Sequence, residues 1–134
     1  MSGGILKISD AAVIGVHALM VLGKNTDELI SVKDIASELN VSANHLSKVM
    51  QRLNKAGFID SIKGYKGGFR LIKDPKEVTF LEIYELFDGK LKDAKCLLSE
   101  KRCTGECALG DFIPSTNAQI KEKFQKTTLS DFIR

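Results

Sequence analysis

Cysteine is scarce and odd in number: Cys96, Cys103 and Cys107 are the only three in a chain of 134 residues. Three thiols cannot close into a disulfide framework, because one is always left over. Six residues separate the first two and three separate the last two. Close thiols in a glycine-bearing loop suit a soft metal or a cluster, so the three read as a metal site with one ligand missing. Long apolar runs are lacking as well. The longest, Ala11 to Gly23, is broken by His17 and falls short of the roughly 18 residues that a membrane span requires. Nothing resembling a signal peptide precedes it. The chain is expected to be soluble, cytoplasmic and off the membrane, where thiols stay reduced. It has no internal repeat and no low-complexity tract. It also lacks a nucleophile-base-acid constellation, a nucleotide-binding loop and a histidine near the cysteines, which argues against an enzyme.

With 43% hydrophobic residues, the chain suffices for one globular domain, or for a small domain with an extension used in association. The net charge of +3 is small, but its distribution is uneven. From Ser42 to Lys73 the basic residues Lys48, Arg52, Lys55, Lys63, Lys66, Arg70 and Lys73 face a single acid, Asp60, so this window carries +6 and the remainder −3. A localised basic surface on a weakly acidic remainder is what a phosphate-binding face requires. A solvated lysine-rich surface is the plainer alternative.

Apolar periodicity supplies the organisation. Ile8 to Leu22 carries a helical apolar face through Ile8, Ala12, Val16 and Leu19, with Gly23 as its stop. After the polar stretch Lys24 to Glu28, Val32, Ile35, Ala36 and Leu39 form a second short helix behind Ser31 as N-cap. Leu46, Val49, Met50 and Leu53 repeat the spacing behind Ser42. Two short amphipathic helices joined by so tight a turn form a helix-turn-helix. After Gly57 the period changes: Phe58 to Lys63 and Phe69 to Lys73 read as strands, with Gly64-Tyr65-Lys66-Gly67-Gly68 as the loop of a hairpin wing. The glycines let its tip approach a backbone closely.

On the third helix, Ala43, Asn44, Ser47, Lys48 and Gln51 fall opposite the apolar face, with His45 at the edge. Asn44, His45 and Lys48 are the expected base readers, while Arg52, Lys55 and the wing lysines Lys63 and Lys66 suit phosphate. Beyond Pro75, Thr79 and Glu82 make a capping box before Phe80, Ile83, Tyr84 and Phe87, and Gly89 ends that helix. A further helix from about Pro114 to Lys126 is expected to bury Ile120 and Phe124, followed by a short capped turn, Thr128 to Ile133. These C-terminal helices have few apolar residues to fold on themselves, so they are expected to pack on another subunit. A symmetric dimer would set two recognition helices on two half-sites about one helical turn apart. The expected fold is mainly α with a small β-hairpin wing. Residues 1–75 form a winged helix-turn-helix, and residues 76–134 form a cysteine loop and dimerisation helices in one continuous unit.

The chain resembles the winged-helix, iron-sulfur cluster-binding transcriptional regulators of the IscR and NsrR type. The similarity lies in Leu6-Lys7-Ile8-Ser9-Asp10 at the first helix, Val41-Ser42 to Arg52-Leu53 as recognition helix, Lys63-Gly64-Tyr65-Lys66-Gly67-Gly68-Phe69 as wing, the three-cysteine loop, and Thr128-Leu129-Ser130-Asp131. The second cysteine gap is shorter than in the best-known members. The resemblance implies a homodimeric repressor of an inverted-repeat operator in double-stranded DNA. Its DNA-binding residues would be drawn from Ser42, Asn44, His45, Ser47, Lys48, Arg52, Lys63, Tyr65, Lys66 and Gly67. It further implies a 2Fe-2S or 4Fe-4S cluster on Cys96, Cys103 and Cys107 that senses redox state, nitric oxide or iron-sulfur status. In one branch a histidine just after the third cysteine completes the site, but here that place reads Ala108-Leu109-Gly110. Another branch uses an acid at the start of the first helix, donated by the partner subunit, and Asp10 occupies that place. A helix-start acid is also favoured by the helix dipole alone. His17, set among apolar neighbours, is expected to be structural. The alternative keeps the DNA binding and makes the cysteines a zinc site or a thiol-based redox switch.

Overall fold

The computed structural model of the chain describes residues 6–91, 109 and 111–133. The expected ligands Cys96, Cys103 and Cys107 lie outside the described residues.

The first helix, α1 (Asp10–Lys24), starts where Ser9 Oγ accepts the Ala12 N–H at 3.1 Å, satisfying one of the otherwise unpaired donors of the first turn. Ala12, Ile14, Val16, Ala18, Leu19, Val21 and Leu22 are all buried, so α1 is apolar around most of its circumference and runs through the centre of the protein. It begins two residues later than the apolar pattern suggests. It does not stop at Gly23, which is buried inside the helix where a side chain would collide with Ile133. Close packing against a residue far along the chain, and not helix termination, accounts for that glycine. Nor is His17 a core residue. It is exposed, and its Nδ1–H donates to the Val13 carbonyl at 2.7 Å.

Helix α2 (Val32–Leu39) is capped by Ser31, whose Oγ accepts the Asp34 N–H, and it ends at Asn40 with φ 55°. That left-handed conformation is one that asparagine tolerates better than most residues, and it lets the Val41 N–H donate to the Ala36 carbonyl at 3.0 Å. Helix α3 (Ala43–Lys55) follows at once, capped by Ser42 through the His45 N–H. Its underside, Leu46, Val49, Met50 and Leu53, is no more than 2% exposed. Each such side chain stabilises the fold by about 2 kcal/mol, which fixes which way the opposite face points.

The wing is an antiparallel pair, β1 (Ile59–Ile62) and β2 (Gly68–Leu71), in the register Ile59 to Leu71 and Asp60 to Arg70. Both strands are shorter than the sequence pattern suggests, and Lys63 and Lys73 fall outside the ladder. A pairing that local pattern does not reveal lengthens the assembly on the other side. Ile30 exchanges backbone hydrogen bonds with Phe69 at 3.0 and 2.8 Å, so the chain just before α2 adds a rung to β2.

The capping box of Thr79 and Glu82 opens α4 (Phe80–Asp88). Val78, Ile83 and Leu129 belong to the same core as the buried residues of α1, α2 and α3. Helix α5 (Phe112–Lys126) rests on α4 through Phe124, whose ring lies 4.7 Å from Phe80 and 5.4 Å from Tyr84. Ile120 is only half-buried. The turn at Leu129–Asp131 is stapled back by the Leu129 N–H to the Val78 carbonyl at 2.8 Å and the Ser130 N–H to the Pro75 carbonyl at 3.1 Å. The C-terminal helices therefore find apolar partners within their own chain. Phe112 at 60% and Leu109 at 45% exposure remain uncovered.

Candidate nucleic-acid interface

Burial of Leu46, Val49, Met50 and Leu53 determines the rest of α3. At about 100° per residue, Asn44, Lys48, Gln51 and Lys55 form one stripe directly opposite the core, and all four are exposed. Ser47 is half-buried at one flank of this stripe. An amide, a second amide and two amines in a row match the hydrogen-bonding edges and phosphates of a duplex groove. Ser42 is exposed, but its hydroxyl accepts the His45 N–H at 3.0 Å; its first duty is to start the helix.

In the wing, Lys63, Tyr65 and Lys66 are exposed, Tyr65 completely. Gly64 has φ 119°, a conformation that side-chain-bearing residues rarely adopt. At Gly67 a Cβ would run into the Ile62 carbonyl oxygen, so the tip closes only with glycine there. Lys48, Lys55, Lys63 and Lys66 form no ion pair among the described residues. Two other cations of the basic window are engaged inside the protein. Arg70 meets Asp60 across the strand pair at 3.3 Å, and Lys73 Nζ sits 4.2 Å from the centre of the Phe58 ring.

His45 and Arg52 lie two helical turns apart, roughly a quarter turn from the Asn44 stripe. His45 lines a groove of about 470 Å³ between α1 and the turn of the helix-turn-helix, together with Asp10, Val13, His17, Val41 and Ser42. Arg52, expected to hold phosphate, donates instead to the Leu86 carbonyl at the end of α4 and lies 4.9 Å from the centre of the Phe87 ring. Their seven-residue spacing marks a shared side stripe that sequence alone already contains. Which neighbour that side meets depends on α4, 34 residues further on.

Asp10 is exposed on the first turn of α1. No group of three potential metal-binding side chains occurs among the described residues. Three thiolates and a carboxylate such as that of Asp10 would suit iron or zinc.

A winged helix-turn-helix with this exposed stripe matches known proteins over nearly its whole length. The family model of Rrf2, described as an iron-dependent transcriptional regulator, covers residues 8–134. The chain belongs to the Rrf2 family. NsrR of Bacillus licheniformis, a helix-turn-helix-type transcriptional regulator, is 31% identical over 113 residues, covering 82% of this chain and 79% of that protein. The structure of CymR, the global cysteine regulator of B. subtilis, matches with a TM-score of 0.83 at 29% identity and 96% coverage of both chains. IscR of T. potens gives 0.73 at 24% identity over 96% of this chain and 86% of its own, a likeness of fold alone. An Rrf2 chain is a DNA-binding regulator of transcription and not an enzyme. No helix among the described residues is long and apolar enough to cross a membrane.

Proposed function

We propose that the protein is a cytoplasmic homodimeric repressor. It binds an inverted-repeat operator through α3 and the wing, and its affinity is set by a 2Fe-2S or 4Fe-4S cluster held on Cys96, Cys103 and Cys107. The observation that carries the DNA part is the exposed stripe Asn44, Lys48, Gln51 and Lys55, backed by a fully buried underside. Asn44 and Lys48 read base edges; Lys55, Lys63 and Lys66 hold phosphate; Tyr65 and Gly67 shape the wing tip. His45 stands at the margin, between the duplex and the groove beside Asp10. In a duplex selected by the wild-type protein from a random library, Lys66→Ala weakens all sequences alike and lowers the salt dependence by about one released ion. Asn44→Ala and Lys48→Ala relax preference at particular base pairs by roughly 1–3 kcal/mol each. Uniform loss across sequences at all three positions would show that the reading face is misassigned.

The cluster, when bound, supplies a centre that reacts with oxidants or nitric oxide. Support for it is the donor set of three thiols and the iron dependence in the family's description. The three thiolates hold it, and Asp10 of the partner subunit fills the remaining position. A carboxylate is a harder and more weakly held ligand than thiolate, so Asp10 would be the most readily lost of the four ligands. Ser9, not Asp10, caps α1, so Asp10→Ala leaves that cap in place and removes a helix-dipole interaction worth about 0.3–1 kcal/mol. It leaves dimerisation intact, yet hastens cluster decay or changes its spectrum. A wild-type spectrum and decay rate in Asp10→Ala, with loss of the cluster in His17→Ala, would transfer the role to His17.

The second reading, zinc or a thiol switch on the same cysteines, draws on the likeness to CymR, a cysteine regulator. The visible absorbance of anaerobically purified protein separates the two, because zinc is colourless.

A further inference from the structure

We propose that Arg52 is a positioning residue that locks the recognition helix to the last turn of α4, and that it does not contact DNA. The inference rests on the DNA-binding role of α3 proposed above. Helix α1 packs on both α3 and α4, which make little contact of their own. Arg52 spans that gap. Its Nη2–H donates to the Leu86 carbonyl, and its guanidinium covers Phe87 with 4.9 Å to the ring centre. Leu86 lies in the last turn of α4, where carbonyls lack helical partners and a cation is favoured by the helix dipole. The same turn is fastened to α1 twice. The Phe87 ring presses on Gly15, where a Cβ would lie 2.7 Å from Phe87 Cε2. Asp88 Oδ2 accepts the Ser9 N–H at 3.1 Å. Leu86, Phe87 and Asp88 thus fix the start and middle of α1 and, through Arg52, the C-terminal half of α3.

Chemistry and direction agree. A planar guanidinium can donate a hydrogen bond at its edge while its face lies on an aromatic ring, which an ammonium cannot reproduce. Arg52 projects roughly a quarter turn away from the Asn44 stripe, and its Nη2–H and one face of its guanidinium are already engaged within the chain. Fixing α3 in this way keeps Asn44 and Lys48 in register with base edges.

The test is binding of the full-length protein to a 30-base-pair duplex, selected by wild type from a random library, followed across a potassium chloride series. Arg52→Gln and Phe87→Leu are each expected to weaken binding about tenfold, with the double variant no weaker than either. The salt slope stays that of wild type, while Lys66→Ala lowers it by about 0.9 and shows that such a change is measurable. Arg52→Lys behaves like Arg52→Gln. A slope lowered by about 0.9 in Arg52→Gln, with normal affinity in Arg52→Lys and Phe87→Leu, makes Arg52 a phosphate ligand and overturns the proposal. If Arg52→Gln fails to fold, Arg52→Lys and Phe87→Leu decide by the same comparison. Amide hydrogen exchange in the free protein is independent of DNA: Arg52→Gln should speed exchange in the last two turns of α3, and unchanged exchange also overturns the proposal. Wild type that selects no duplex refutes the DNA reading, while the exchange result still decides the Arg52 contact.

Discussion

Anaerobically purified wild-type protein is expected to be coloured and to carry iron and inorganic sulfide, and Cys103→Ala to bleach it almost completely. The chain holds three cysteines and no spare thiol. No spare cysteine can take over a lost thiolate, and a cluster reduced to two thiolates would be labile. Cys96→Ala and Cys107→Ala should act alike. Among the described residues, α1 to α4, β1 and the C-terminal turn already share one apolar core. The thermal melt of the cluster-free variants should therefore keep its cooperativity. Iron and sulfide analysis alongside the visible spectrum checks this. Wild type that stays colourless after reconstitution and binds zinc stoichiometrically points to a zinc site. Colourless protein without zinc whose DNA affinity responds to oxidant points to a thiol switch.

Leu46→Ala should cost about 3 kcal/mol of stability and lower the melting temperature by on the order of 10 °C. Leu46 is 0% exposed and sits under the first turn of the recognition helix. Removing three of its carbons leaves a cavity that α1 and α2 cannot close without moving. Asn44→Ala, two residues away on the opposite face, should change stability by less than about 0.5 kcal/mol while altering base preference. Calorimetry of the pair separates the supporting face of α3 from the reading face. Equal melting temperatures would show that the underside of α3 is not held by packing.

Local rules located the helices because their ends are chemically marked. Ser31 and Ser42 hold the first turns of α2 and α3 through their hydroxyls, and Thr79 with Glu82 does so reciprocally at α4. The underside of α3 follows from its spacing alone. What pattern could not provide is what depends on a distant partner. Gly23 looks like a terminator until Ile133 occupies the space beside it. The rung between Ile30 and Phe69 joins segments with no shared periodicity. His17 breaks an apolar run because it lies on the one side of α1 that faces the groove and solvent. For the site, the stripe Asn44 to Lys55 and the edge position of His45 were legible, whereas the engagement of Arg52 by Leu86 and Phe87 was not. Helical spacing gives the direction in which a side chain leaves its own helix, but not which distant element waits there.

Leu129 lies in the same core as α1, and Ile133 fills the space at Gly23, more than a hundred residues earlier. On the ribosome, α1 cannot complete its packing until Leu129 and Ile133 have emerged. Such long-range closure slows folding, because the entropy of a large loop must be overcome before its contacts form. The nascent chain thus carries an incompletely covered apolar helix until residues 129–133 have left the ribosome.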